Sequence, residues 1–361
     1  MPAGSFCATI AAMNDFETVY LDDKTRKLVI LDQTRLPNEI TYLFLNDPKE
    51  IWEAIYLLKV RGAPAIGVSA AIGLWAILAR ERYSSKEQFF SRLHQMVEYL
   101  DSARPTAVNL SWALETMEQE ALGHRDFSVD GILQVLHDKA VRIREDDIAM
   151  CKAIGEHALT LVKPGDGLLT HCNAGRLATV KYGTATAVMY LGQERGYHFH
   201  VFCDETRPLL QGARLTAFEL HQAGIDVTLE CDGMSASAMR KGLIQAVFVG
   251  ADRVAANGDF ANKIGTSMLA LAAWRYHVPF YCCAPSSSID FSTASGDGIV
   301  IEERKPEEVT DMWYQAPMAP RGIKVFNPAF DVTDHDLVTG IITEKGIARY
   351  PYDQSLRRML G

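Results

Sequence analysis

Residues Pro164–Gly175 read PGDGLLTHCNAG, and the pattern of the chain changes at this stretch. Before it, apolar residues recur at spacings of three and four, which is typical of amphipathic helices. After it, short apolar runs alternate with stretches of helical length, which indicates βαβ units and a parallel sheet. We therefore predict an α/β fold with two domains. Residues 1–163 form a small domain of strands and helices, and residues 164–361 form a doubly wound sheet domain.

The individual elements are predicted from the same patterns. A small antiparallel meander is expected over Thr18–Leu45, where short β-prone runs alternate with turn residues. Helices are expected over residues 48–60, 65–80, 85–100, 105–122 and 129–161. In the second domain the predicted strands are GLLTH, FHVFC, DVTLE, QAVFVG and PFYCC, and the predicted helical stretches are Leu177–Gly196 and Leu209–Gly224.

The composition excludes several classes of protein. Of the 361 residues, 48% are hydrophobic, which is enough for a sizeable core, and the net charge of -9 disfavours nucleic-acid binding. We see no apolar run of about 18 residues and no signal-peptide pattern, so we expect no membrane segment and a cytoplasmic location. The seven cysteines include no C-x-x-C pair, which argues against a disulfide framework and a zinc site.

Polar residues follow each of the five predicted strands, where a doubly wound sheet collects its functional groups. They are Cys172, Asp204 and Glu205, Asp232, Asp252, and Pro285 and Ser286. Cys172 precedes a predicted helix, and the N-terminus of a helix favours a thiolate. The alternative for Cys172 is a buried structural cysteine.

The segment from Val247 to Thr266 contains two further candidates. Asp252 either caps a turn or is a carboxyl group in a partly desolvated cleft, where a raised pKa would suit a general acid. The stretch NKIGT, Asn262–Thr266, resembles the start of a helix with a lysine and exposed amides, which suits an anionic group. It lacks the spacing of a nucleotide P-loop, so ATP binding is not predicted.

Other candidate ligand contacts have structural alternatives. In KVRGAPAIG, Arg61 offers a cationic fork and Gly62 lets the backbone approach a ligand, but a simple helix–helix turn would look the same. Arg104 either holds a phosphate or caps a neighbouring helix. The stretch DETRPLLQGARLTAFEL contributes Arg207 and Gln211, which either line a site or belong to an internal network of charges.

Seven motifs occur in a fixed order, within a match to a known family that runs from about Leu28 to Gly346. They are RGAPAIG, SARPTAVNLSWAL, HCNAG followed by LAT, DETRPLLQGARLTAFEL, GADRVAANGDFANKIGT, APSSSID and IEER. Together they resemble the 5-methylthioribose-1-phosphate isomerase family of methionine salvage. That family belongs to a larger group with ribose-1,5-bisphosphate isomerases and the regulatory subunits of a translation-initiation exchange factor. The resemblance implies a Rossmann-like C-terminal domain, a homodimer, a substrate held between the domains, and no cofactor or metal.

The resemblance also implies a reaction and its residues. A sugar 1-phosphate is locked as a cyclic acetal, so an acid must protonate the ring oxygen before hydrogen moves from C2 to C1. Carried over by motif, Cys172 and Asp252 are the catalytic pair. The implied substrate and phosphate contacts are Arg61, Gly62, Ala63, Arg104, Gln211, Asn262 and Lys263.

Two positions depart from the family pattern. Arg176 follows HCNAG where a small residue is usual, and Asp334 stands where proline is common. Arg176 either points to solvent or alters the site near Cys172 and changes the 5-substituent that is accepted. The alternatives are therefore an isomerase of 5-deoxyribose 1-phosphate or ribose 1,5-bisphosphate, and a non-catalytic regulatory, scaffold or sensing protein of the same fold.

Overall fold

The chain folds into two compact units. The computed structural model describes residues 16–105 and 107–361. The first unit contains the chain up to Ala149 together with Arg176–Gly183, and the second contains Met150–Gly175 and Thr184–Gly361. The chain therefore passes from one unit to the other at Met150, at Arg176 and at Thr184.

The first unit begins with the predicted antiparallel meander, in the strand order β1-β2-β3. Its elements are β1 (Val19–Asp22), β2 (Lys27–Leu31), β3 (Tyr42–Leu45), α1 (Pro48–Tyr56), α2 (Ala63–Arg80), α3 (Lys86–Asp101), α4 (Val108–Gly123) and α5 (Val129–Leu159). The last of these helices continues into the second unit. The five predicted helices are confirmed, each within a few residues of its expected ends.

Helix α2 is the central core element of the first unit. Every residue from Ala65 to Leu78 is buried, and a Cβ on Gly67 would lie 2.9 Å from the carbonyl oxygen of Asn109 in α4. Among the described residues, this is the helix long and apolar enough to cross a membrane by length and composition, and 78% of it is buried inside the protein. Its apolar surface is thus explained by packing against its neighbours.

The second unit contains two sheets. Its elements are β4 (Gly167–Thr170), α6 (Ala187–Glu194), β5 (His200–Asp204), α7 (Ala217–Gln222), β6 (Asp226–Glu230), α8 (Ser235–Arg240), β7 (Ala246–Val249), β8 (Arg253–Ala255), β9 (Phe260–Lys263), α9 (Thr266–Tyr276), β10 (Phe280–Cys283), β11 (Ile289–Asp290), α10 (Glu307–Thr310), β12 (Phe330–Thr333), β13 (Gly340–Thr343), β14 (Gly346–Ala348) and α11 (Tyr352–Leu360). All five strands predicted for this half of the chain are present.

The larger sheet has the strand order β14-β13-β10-β7-β4-β5-β6. Its strands are parallel except β14, which pairs antiparallel with β13. The chain starts in the middle at β4, adds β5 and β6 on one side, and then returns to add β7, β10 and β13 on the other. The order therefore reverses between β4 and β7, which confirms a Rossmann-like doubly wound sheet with its switch point between these two strands.

The smaller sheet was not predicted. It has the order β11-β8-β9-β12, and β8 and β9 form an antiparallel hairpin. Asn257 and Gly258 lie in the turn of this hairpin, and Gly258 has a φ of 93°. An Asn-Gly pair between short apolar runs is a hairpin signal, but strands of three and four residues are too short to show a clear alternation.

The predicted helix over Leu177–Gly196 is wrong. Only Ala187–Glu194 is α-helical, and a short 3-10 turn occupies Arg176–Ala178. The backbone of this segment instead bonds to side chains of the first unit: Arg176 O accepts from Thr18, Leu177 O accepts from Gln33, and Val180 N donates to Asp147. Tertiary hydrogen bonds have replaced the helical ones. The second stretch, Leu209–Gly224, is helical only from Gln211, and a π-helical turn over Gly212–Thr216 leads into α7.

Candidate active site

The two predicted catalytic residues lie on the two loops at the switch point of the sheet. Cys172 follows β4 and Asp252 follows β7. Ligands of doubly wound sheets bind outside the carboxyl ends of the strands at this position. The two loops also approach each other closely, because a Cβ on Gly250 would lie 2.5 Å from the Cβ of Ala174. A glycine at position 250 therefore permits the contact.

Cys172 adopts a left-handed backbone conformation that residues other than glycine rarely take. Its φ is 65° and its side chain is buried, with 8% exposed. Its N–H donates to Thr206 Oγ1 at 2.8 Å, and its carbonyl oxygen accepts from Thr216 Oγ1 at 2.5 Å. Such conformations cost of order 1–3 kcal/mol each and persist only where the surroundings hold them. Cys172 is therefore fixed through its backbone on both sides.

The predicted placement of Cys172 at the N-terminus of an α-helix is wrong. The residues after it form a loop, and the next α-helix starts at Ala187. The loop is held from the other side by Asn173, whose Nδ2 donates to Thr216 Oγ1 at 3.1 Å and to Glu219 Oε2 at 3.2 Å. No α-helix directly follows Cys172, which is instead placed by hydrogen bonds to the segment after β5.

The segment after β5 carries Gln211 and is itself strained. Thr206 has a φ of 65°, which is unusual for a β-branched residue. The N–H groups of Thr206 and Arg207 donate to the carboxylate of Asp232 at 2.7 and 2.8 Å, which fixes the turn. Gln211 is buried with 6% exposed, and its Oε1 has no hydrogen-bond partner among the described residues. A buried amide oxygen without a partner is costly, and a ligand group could satisfy it.

Asp252 begins the hairpin of β8 and β9. Its N–H donates to the carbonyl oxygen of Ala261 at 2.9 Å, which joins it to the smaller sheet. The residue is exposed, whereas one of the two alternatives from the sequence was a carboxyl group in a partly desolvated cleft. Asp252 is thus a carboxyl group on a fixed backbone that water and solutes can reach.

Asn262 and Lys263 end strand β9. Asn262 is buried and its Nδ2 donates to Thr266 Oγ1 at 3.1 Å. Lys263 Nζ donates to Ala329 O at 2.9 Å and lies 4.3 Å from the centre of the Phe330 ring. The lysine is half-buried and keeps its cation close to the backbone of β12.

Two of the amides at this helix start, which the sequence predicted to be exposed, are already occupied. Helix α9 begins at Thr266, and the carboxylate of Asp331 accepts from Gly265 N at 2.8 Å and from Ser267 N at 3.1 Å. Burial raises the pKa of Asp331, while these backbone hydrogen bonds lower it. The sequence pattern predicted an anion at this helix start, but the Asp331 carboxylate already accepts from these two amides.

His171, Asp204 and Asp232 form a cluster that the sequence interpretation missed. One ligand atom from each lies within 4.8 Å of the others, as in a metal site. However, both ring nitrogens of His171 are engaged, by Asp204 Oδ2 and by the carbonyl oxygen of Ile264, each at 2.9 Å. The carboxylate of Asp232 accepts the two N–H groups described above. The ligand atoms of the cluster already make hydrogen bonds to other groups of the protein, so the cluster does not fit a metal ion.

The remaining predicted contacts belong to the first unit. Gly62 has a φ of 88° and precedes α2, which begins at Ala63. A Cβ on Gly62 would collide with Ala178, so the backbones approach closely at this point. Arg61 is half-buried at the same turn, and Arg104 is half-buried three residues after the end of α3.

Arg176 is a buried residue of the first unit. Only 7% of it is exposed, and its guanidinium carbon lies 4.6 Å from the centre of the Phe16 ring. A guanidinium over an aromatic face is a favourable cation–π arrangement. The first alternative for this residue, a side chain that points to solvent, is therefore wrong.

The chain is similar to known proteins along nearly its whole length. A methylthioribose-1-phosphate isomerase from Symbiobacterium thermophilum is 60% identical over 343 residues, which are 95% of this chain and 96% of the relative. A 5-deoxyribose 1-phosphate isomerase from Clostridium botulinum is 52% identical over 96% of this chain and 99% of its own length. The crystal structure of 5-methylthioribose 1-phosphate isomerase from Pyrococcus horikoshii OT3 matches with a TM-score of 0.91 and 40% identity, over 95% of both chains.

A family model gives the same result. The model of the Initiation factor 2 subunit family matches residues 59–350, which include every predicted site residue. The resemblance inferred from the motifs is thus confirmed. Since this model matches most of the chain and relatives more than half identical cover nearly all of it, the chain belongs to the initiation factor 2 subunit family.

Proposed function

We propose that this protein is an aldose–ketose isomerase that converts 5-methylthioribose 1-phosphate to 5-methylthioribulose 1-phosphate, a reaction of methionine salvage. The observation that carries the proposal is the position of Cys172 and Asp252 on the two adjoining loops of the switch point. The proposal is further supported by the 60% identity to an isomerase with this name.

Asp252 is the proton donor in this proposal. The substrate is a cyclic acetal, and its ring opens when the ring oxygen receives a proton and leaves C1. Asp252 is exposed on a backbone fixed by β9, so a carboxylic acid at this position can reach a bound sugar. Its proton goes to the ring oxygen, and the carboxylate left behind must be protonated again before the next turnover.

Cys172 assists the transfer of hydrogen from C2 to C1. It acts either as the base that removes the C2 proton or by shaping and polarising the site. Removal of the C2 proton gives a cis-phosphoenolate that is protonated at C1, whereas a hydride shift moves hydrogen with its electron pair directly. Both routes give the ketose 1-phosphate, and they differ in whether the C2 hydrogen exchanges with solvent.

Seven residues are assigned to substrate and phosphate binding. They are Arg61, Gly62, Ala63 and Arg104 of the first unit, and Gln211, Asn262 and Lys263 of the second. Gln211 offers a buried amide oxygen that no described residue satisfies, which suits a sugar hydroxyl donor. Lys263 and the two arginines are cations that suit a phosphate.

A second candidate substrate is 5-deoxyribose 1-phosphate. It differs only in the group at C5, and the Clostridium botulinum relative of that name is 52% identical. The methylthio substrate is preferred here because the more similar of the two relatives carries that name.

The decisive experiment follows the phosphorus NMR signal of 5-methylthioribose 1-phosphate with the purified protein. Turnover converts an anomeric phosphate into a primary ketose phosphate, and these have different chemical shifts. The Asp252→Asn protein should lose about 10² to 10⁴-fold in kcat, as expected when a general acid is removed. The Cys172→Ala protein should also lose activity, while the exposed Cys231→Ala serves as the matched control and should not.

The same assay separates the alternatives. The parent protein is also given 5-deoxyribose 1-phosphate and ribose 1,5-bisphosphate, and the highest kcat/KM identifies the substrate. Failure with all three would overturn the proposal in favour of a binding or scaffold protein. Repeating the reaction in heavy water distinguishes the routes, because incorporation of deuterium at C1 requires the enolate.

We also infer that the protein is a cytoplasmic homodimer. The family resemblance implies this assembly. Light scattering during size-exclusion chromatography tests it, and a mass near 40.0 kDa would indicate a monomer instead.

A further inference from the structure

The residue before Cys172 is a histidine buried to 1% exposure. Its Nδ1 lies 2.9 Å from Asp204 Oδ2, and its Nε2 lies 2.9 Å from the carbonyl oxygen of Ile264. His171 therefore joins the loop after β4 to two segments that are 33 and 93 residues further along the chain. Neither the proposed mechanism nor the substrate contacts use this side chain.

The two partners define the protonation of the ring. A carbonyl oxygen can only accept, so Nε2 must carry a hydrogen that it donates to Ile264. Asp204 Oδ1 accepts from Ser235 Oγ at 2.5 Å. Burial raises the pKa of Asp204, while the hydrogen bonds with His171 and Ser235 oppose this rise. Burial alone would lower the pKa of His171, but the hydrogen bond and the charge of Asp204 outweigh it and raise that pKa. The ring therefore donates from Nε2 to Ile264, and its Nδ1 pairs with the carboxyl group of Asp204.

The ring also lies against the backbone that follows β9. A Cβ on Gly265 would lie 2.8 Å from His171 Cε1, and Gly265 has a φ of 104°. Gly265 is thus required both for its conformation and for the close approach of the imidazole. Ile264 and Gly265 directly follow Asn262 and Lys263, so this contact fixes the end of β9 that carries the proposed phosphate-binding residues.

We propose that His171 is a positioning residue, which holds Asn262 and Lys263 in a fixed relation to Cys172 through its hydrogen bond to Ile264. Asp204 orients the ring, and Ser235 orients Asp204. This inference rests on the proposed isomerase function, because it assigns a purpose to the relative placement of these groups. A displacement of about 1 Å in such an arrangement can cost on the order of 10²-fold in rate.

Two substitutions of His171 test its two hydrogen bonds separately. In His171→Gln the side-chain amide can reach the position of Nε2 and donate to Ile264, whereas the shorter His171→Asn can reach only the position of Nδ1 and bond to Asp204. We expect kcat to fall about 10 to 100-fold in His171→Asn and clearly less in His171→Gln. Thermal unfolding of both proteins controls for stability. Equal activity of the two variants at equal stability would overturn the proposal.

A second measurement does not depend on turnover. The Gly265 and Ser267 amides donate to Asp331 and should exchange slowly with deuterated solvent. Their protection should decrease in His171→Asn and persist in His171→Gln. Unchanged protection in both variants would overturn the link between His171 and this segment. Decreased protection with normal kcat would overturn the positioning role.

These two readouts keep the inference separate from the proposed function. If the parent protein turns over no sugar phosphate, the isomerase proposal fails and the positioning role fails with it. The exchange experiment still decides whether His171 holds the segment that follows β9. If the parent is active, the comparison of the two variants decides the inference alone.

Discussion

The N–H of Cys172 donates to the hydroxyl oxygen of Thr206 at 2.8 Å, and both residues have a φ of 65°. Two unfavourable backbone conformations are thus joined by one hydrogen bond in the buried part of the site. The loop with the proposed catalytic thiol and the loop with Gln211 hold each other in place. Strain of this kind occurs at functional sites, where surrounding structure maintains it.

We predict that Thr206→Val will lower activity much more than Thr206→Ser. Valine has a similar shape but no oxygen for the Cys172 N–H, and loss of a buried hydrogen bond costs about 1–3 kcal/mol. Serine keeps the acceptor. The measurement is kcat and the thermal midpoint of each variant. Equal kcat in the two variants would show that the hydrogen bond is not needed.

The contact between Gly250 and Ala174 gives a test by compensation. Gly250→Ala would place a Cβ 2.5 Å from that of Ala174 and push apart the loops that carry Asp252 and Cys172. We expect kcat to fall by about 10-fold or more, because small displacements of reacting groups are costly. Adding Ala174→Gly should restore part of the activity, since it removes the colliding methyl group. Purely additive effects in the double variant would contradict this account.

Asp147 should make the stability of the protein depend on pH. Burial raises the pKa of its carboxyl group to about 7 from an ordinary value of 3.8, although hydrogen bonding to Val180 N opposes the change. Between these two pKa values the folded state binds more protons than the unfolded state, so stability falls as the pH rises. The free energy of unfolding that is lost in this way has an upper limit of about 4 kcal/mol.

The variant Asp147→Asn keeps an oxygen acceptor for Val180 but has no charge. Its free energy of unfolding relative to the parent should therefore become more favourable as the pH is raised from 5 to 8. Chemical denaturation at both pH values measures this, with Asp126→Asn at an exposed position as the control. A difference that is the same at both pH values would refute the prediction.

Arg176 is expected to affect stability rather than the choice of substrate. It is buried over Phe16 in the first unit, and a desolvated cation–π contact is worth about 2 kcal/mol. We therefore predict that Arg176→Leu will lower the thermal midpoint and leave the ratio of kcat/KM between 5-methylthioribose 1-phosphate and 5-deoxyribose 1-phosphate unchanged. A change in that ratio of more than about 10-fold would assign Arg176 to specificity.

Five of the seven strands of the large sheet could be predicted because each is a short apolar run between turn residues, whereas β13 and β14 were not predicted. The positions of Cys172 and Asp252 at the ends of two predicted strands were visible in the sequence. The spatial strand order that brings these two ends together was not. The helix after Cys172 was predicted wrongly because its apolar spacing is helical, while its backbone bonds to Gln33 and Asp147, which are distant in sequence.

Two features of the site had no local signal. Asp331 accepts hydrogen bonds from two amides at the start of α9, although it lies 66 and 64 residues further along the chain. His171 was passed over because its partners, Asp204 and Ile264, become neighbours only when the sheet has formed. Interactions of this kind depend on tertiary structure, which patterns of a few residues do not contain.

The segment Arg176–Gly183 lies within the second half of the chain but belongs to the first unit. Its backbone fills the space beside Gly62 and satisfies Thr18, Gln33 and Asp147. A single cleavage of the chain therefore cannot give a fragment with all residues of the first unit and none of the second. A fragment that ends at Lys163 would lack Arg176–Gly183 and leave the residues that this segment covers exposed. Each unit is thus built from two separate stretches of the chain.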